Sequence, residues 1–132
     1  MTVTLALATL AACGSSAKSA EPRAEIRGHS YASTSVTGHT MPAGTKITLA
    51  FGVDGKLSAN AGCNTMGGNY VVQNGRLVVG GLAVTEMGCL PSARQAQDSW
   101  FAGVLRSGPQ IVQSGKTLTL TAGPTTIDLA EP

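Results

Sequence analysis

The chain has 132 residues, of which 42% are hydrophobic and 12% charged, with 17 glycines and a net charge of +2. At this length one domain is expected; the sparse charge argues against a long coiled coil, and the apolar content excludes an acidic or basic disordered tail. The basic and acidic residues are scattered singly and form no basic stripe, so no nucleic-acid partner is expected.

Residues 1–12 read MTVTLALATLAA, apolar from Val3 to Ala12. The run has signal-peptide length and falls short of the roughly 20 residues that span a bilayer. Leu10-Ala11-Ala12-Cys13 resembles the bacterial lipobox, in which small residues admit the leader to a signal peptidase and the cysteine is acylated on sulfur before cleavage. No basic residue precedes Lys18, a departure from the usual signal-peptide n-region that fits a leader truncated at its start. The expected organisation is a lipoprotein signal peptide over 1–12, a lipidated Cys13 with a flexible tether over 13–24, and a folded domain over 25–132. The protein is then exported and held on the outer face of the cell membrane by its lipid. With Cys13 assigned to lipid, Cys63 and Cys89 remain as an even pair. A disulfide is their expected state outside the cytoplasm, with free buried thiols and metal ligation as the alternatives.

Within the domain, alternation of period two dominates. An early strand runs from about Ser30 to Thr37. Lys46 to Val53 puts Ile47, Leu49, Phe51 and Val53 on one face, Asp54-Gly55 marks a tight turn, and Lys56 to Cys63 returns with Leu57, Ala59, Ala61 and Cys63 inward. Asn69 to Gln73, Asn74-Gly75 and Arg76 to Val79 repeat the pattern. From Pro91 the period lengthens: Ala93, Ala96, Trp100, Phe101, Val104 and Leu105 have helical spacing, and Gly108-Pro109 ends the helix. Gly103 inside it costs up to about 1 kcal/mol relative to alanine. A third hairpin, Gln110 to Thr121 around Ser114-Gly115, and a last strand from Thr125 to Leu129 complete the chain. About eight short strands and one helix predict a mostly β fold: a small antiparallel, partly open barrel with the helix packed on it.

Ala61-Gly62-Cys63-Asn64, together with Thr85-Glu86-Met87-Gly88-Cys89 just before the helix, resembles the paired signature of the META domain (HslJ-like) family. Gly68-Asn69-Tyr70 fits the Gly-x-Tyr strand between those halves, and Leu118-Thr119-Leu120 the terminal strand. Arg27 to Tyr31 looks like the opening strand, with Tyr31 where relatives usually carry tryptophan. The resemblance covers about 25–132 and implies a small, barrel-like, mostly antiparallel structure with one helix. It also implies a bacterial envelope protein, in many members a lipoprotein and in some linked to heat-shock or antibiotic stress, with no catalytic mechanism established for the domain.

Chemistry-bearing constellations are few. His29 and His39 are the other candidate metal donors, but no CxxC or HxxxH spacing supports a site, so neither a metal nor a cofactor is expected. Glu86 and Asp98 could form a general acid/base pair; isolated surface carboxylates are the expected finding, and no Gly-x-Ser-x-Gly elbow is present. No catalytic residue is assigned. Asn64 is expected to form a turn, with ligand contact as the alternative. The segment Asn64 to Asn69, with Met66 as an adaptable apolar side chain among polar and glycine neighbours, is read as an exposed contact loop or as a simple turn. Gly67-Gly68 and Gly80-Gly81 suit bulges. Two functions follow: a monomeric envelope-anchored interaction or stress-support module acting on another envelope protein, or a carrier of a small apolar or lipid-like ligand in the open barrel. An apolar space of a few hundred Å3 between helix and sheet is the observation that separates them.

Overall fold

Alternating apolar residues build eight strands, and in the structure, a computed structural model that describes residues 26–132, these strands close on themselves. They are β1 (Ser30–Thr37), β2 (Thr48–Phe51), β3 (Lys56–Asn60), β4 (Thr65–Gln73), β5 (Arg76–Val84), β6 (Gln110–Ser114), β7 (Thr117–Ala122) and β8 (Thr125–Ala130), with helix α1 (Ala93–Arg106) between β5 and β6. Each strand is antiparallel to the next, and β8 pairs with β1 from Ala32 opposite Ala130 to Thr37 opposite Thr126. The sheet is therefore a closed barrel where a partly open one was expected.

Its thinnest seam lies between β5 and β6, where Arg76 faces Gln110. Bonds from Leu77 N–H to Pro109 O (2.8 Å) and from Ile111 N–H to Gly75 O (2.9 Å) flank that pair. The rest of β5 packs against α1, which leaves the sheet after β5 and returns the chain to it at β6.

Side chains fill the barrel. Leu49, Phe51, Leu57, Leu77, Ile111, Leu118, Leu120, Ile127 and Leu129 are all buried, and Phe101 and Leu105 of α1 close over them. Tyr31, Phe51 and Tyr70 form an edge-to-face row with ring centroids 6.0 and 5.1 Å apart, each contact worth about 0.5–1.5 kcal/mol beyond the area it buries.

Several local expectations change. β2 ends at Phe51, and Val53 is exposed because Gly52 N–H bonds to Lys56 O at 2.8 Å and turns the chain early. In that turn Gly55 alone takes a positive φ, and Asp54 instead accepts from Lys56 N–H at 3.1 Å. The two-residue turn with both central residues at positive φ is Asn74-Gly75, at 52° and 72°. β3 stops at Asn60, so Cys63 is half-buried in the connection that follows rather than facing inward on the strand. On α1, Ala93 and Ala96 are exposed, while Gln97 and Asp98 are buried with Phe101, Ala102, Val104 and Leu105.

The proposed contact loop is also corrected. Thr65 onward is strand β4, Met66 is fully buried in the core, and only Asn69 of the two residues faces solvent. The strand was hidden because Gly68 stands at the inward position between Met66 and Tyr70. A Cβ there would lie 2.8 Å from Gly80 O and 3.1 Å from Val79 Cγ1, so the approach of β5 requires glycine. The register shifts by one residue at this point, and Gly81 (φ 61°) sits in the resulting bulge of β5.

Candidate functional site

The two halves of the family-like signature meet at the N-terminal half of α1. Cys63, after β3, and Cys89, before α1, form a disulfide with their Cα atoms 5.9 Å apart. Asn64, buried next to it, is the hub of the contact: its Oδ1 accepts from Met87 N–H (2.7 Å) and Thr85 Oγ1 (3.0 Å), and its Nδ2 donates to Met87 O (3.2 Å). Asn60 supports the same turn, donating from Nδ2 to Asn64 O at 3.1 Å and accepting from Gly62 N–H at 2.9 Å. These bonds fasten the segment between β5 and α1 to the segment between β3 and β4, so Asn64 acts between segments rather than within its own turn.

Asp98 completes the cluster. It is buried, and its two carboxylate oxygens accept from Cys63 N–H at 3.2 Å and Asn64 N–H at 2.6 Å. Charge-assisted bonds to backbone amides are about twice as strong as neutral ones, which offsets the cost of burying the carboxylate. Sequence reasoning missed this residue as an isolated surface acid. The signal was available: Asp98, Phe101, Ala102 and Leu105 follow the i, i+3, i+4, i+7 spacing of one helix face. Glu86, its proposed acid/base partner, is exposed. Both line an open polar cleft of about 490 Å3 with Arg106, whose Nη2 donates to Leu82 O at 3.4 Å.

The histidines lie elsewhere. His29 pairs through Nδ1 with Glu131 Oε1. His39, in the connection between β1 and β2, stacks on Trp100 with ring centroids 3.6 Å apart and planes 5° from parallel, and its Nε2 meets Gln97 Oε1 at 2.7 Å. Among the described residues, no three His, Cys, Asp or Glu side chains converge. Cys13 and the stretches 1–12 and 13–24 lie outside the described residues.

A second cleft, about 660 Å3 and open to solvent, lies along the C-terminal half of α1. Trp100, Gly103 and Val104 of the helix and Ser107 just beyond it form one wall; Arg76, Gln110, Thr121, Ala122 and Thr125 from the barrel rim form the other. It is a ligand-sized space between helix and sheet. It lies outside the barrel, whose interior the core side chains occupy.

Comparison with known proteins agrees with this architecture. The family model of the META domain matches residues 24–131. No curated protein matches the chain. Among solved structures, an NMR structure of a protein from Burkholderia xenovorans superposes with a TM-score of 0.69 at 18% identity, covering 83% of this chain and 86% of its own. A second NMR structure gives 0.69 at 24% identity, covering 83% and 93%. A crystal structure of a duf4847 family protein from Bacteroides vulgatus gives 0.56 at 12% identity, covering 84% and 97%. At these identities the likeness is one of fold.

Proposed function

The chain belongs to the META domain family, and on that premise we propose that it is an exported lipoprotein, anchored to the membrane through Cys13, whose domain acts by binding, without turnover, as an interaction or stress-support module of the cell envelope. The observation that carries the non-catalytic reading is the use made of the signature residues. The Asp98 carboxylate accepts from two backbone amides and the Asn64 amide joins two segments, so the groups that chemistry would need serve to hold the fold. The anchor is supported by Leu10-Ala11-Ala12-Cys13 and by the pairing of Cys63 with Cys89, which leaves Cys13 as the odd cysteine of three.

Expression from the full-length gene tests this. The wild type should partition into detergent, and Cys13→Ser should release the protein or block its processing. A soluble, unprocessed wild type would refute the anchor. A hydrolytic activity lost on Glu86→Gln would refute the non-catalytic reading.

A further inference from the structure

The cleft along the C-terminal half of α1 has the makings of a ligand site, and we propose that it binds a single-chain amphiphile carrying one anionic head group. The proposal rests on the domain being a binding module and narrows that reading to a ligand class. The space of about 660 Å3 falls in the range of small-molecule sites, roughly 300–1,000 Å3. Trp100, Val104 and Ala122 give it an apolar surface. Among the described residues, Arg76 is the one ionisable side chain lining it. Its Nη1 donates to the carbonyl of Gly108, another lining residue, at 3.0 Å, which steadies the guanidinium on the cleft wall and leaves the rest of its five-donor fork for a carboxylate. The carbonyls ending α1 carry about half a negative charge and oppose an anion. The full charge of Arg76, already seated on the Gly108 carbonyl, outweighs them.

Gly103 is the second, independent observation. Glycine is among the weakest residues in a helix interior, and here neither backbone nor packing calls for it. It is not among the positive-φ glycines, and outside its own helix no heavy atom lies within 4 Å of where its Cβ would be. It does border the cleft, on the same helix face as Trp100 and Val104. What the missing side chain leaves is open space on the wall that Trp100 also lines. Helix stability is reduced where open space results, a pattern expected of a site that must admit something.

The test titrates sodium dodecanoate, below its micellar range, into the full chain and follows the fluorescence of Trp100, the one tryptophan in the sequence. Saturable binding is expected, at least tenfold weaker for dodecan-1-ol and for dodecyltrimethylammonium. Arg76→Gln should lose at least tenfold in affinity with its thermal midpoint unchanged, Arg76→Lys should recover most of it, and Lys116→Gln, a cation outside the cleft, should have no effect. Gly103→Leu should abolish binding in a protein that melts no lower than wild type. Equal binding of the three head groups, or unaltered affinity in Arg76→Gln or Gly103→Leu, would overturn the proposal. So would binding to phosphatidylglycerol vesicles without binding of dodecanoate, which would mean that the arginine reads a bilayer surface. Dodecanoate recovered chemically altered would defeat the binding-module reading itself, whereas an intact probe that does not bind defeats only this proposal.

Discussion

The two halves of α1 are held to the barrel by different means. Around the N-terminal half, a disulfide, the Asn64 amide and the Asp98 carboxylate tie the helix and its preceding segment to the barrel at several points. Along the C-terminal half, Phe101, Ala102, Val104 and Leu105 pack on the core, while the neighbouring face, with Gly103 and the half-buried Trp100, borders an open cleft. A helix tied at one end and packed along one face can leave another face bordering a cleft without losing its place on the sheet. The lesson is that the signature residues secure the scaffold, while the cleft proposed as a binding site lies about a turn further along the same helix.

The largest effect should come from cutting the covalent tie. Cys63→Ser with Cys89→Ser opens a loop with a sequence separation of 26 and should lower stability by about 3.5 kcal/mol in the chain-entropy account. Denaturant unfolding with and without a reductant measures it. A loss below about 1 kcal/mol would mean that the polar bonds alone hold this end.

Asp98→Asn should have a smaller effect. It keeps the shape but removes the charge from two hydrogen bonds and turns an amide N–H2 toward a backbone N–H, for an expected loss of about 1.5–3 kcal/mol. Hydrogen exchange at the Cys63 and Asn64 amides should speed up before the barrel amides do. Uniform acceleration across the domain would show that the two halves of the helix are not distinct in stability.

The smallest effect should have the opposite sign. Gly103→Ala, at the open half, should stabilise the protein by up to about 1 kcal/mol through helix propensity, since no neighbour is in the way. Thermal melting reads it directly, and a lower midpoint would place a packing constraint where the comparison puts free space.

Much of the barrel was legible because its strands carry the pattern on large side chains. Leu118, Leu120, Ile127 and Leu129 alternate as expected and are all buried. The start of β4 was not legible, since Gly67 and Gly68 erase the alternation between Met66 and Tyr70 and the reason for them is the nearness of β5, a tertiary fact. Barrel closure was likewise invisible, because no local pattern says that Thr37 will lie opposite Thr126. At the candidate sites, Cys63, Asn64 and Cys89 stood out by motif and meet in the structure. Asp98 was misread on a general expectation about carboxylates although its spacing placed it on the packed face. Arg76 and Gly103 had no motif to announce them; they acquire significance only when the return of α1 to the rim sets them across one cleft.

The pairing of β1 with β8 has a consequence for how the molecule comes into being. Every other seam joins strands that are consecutive along the chain, so those pairings can assemble as the polypeptide lengthens. β1 alone must keep one edge bare until Thr125–Ala130 has been made and delivered. Closure of the cylinder thus waits on the last of the eight strands, and a polypeptide stalled or clipped before that strand presents an unpaired edge to whatever surrounds it.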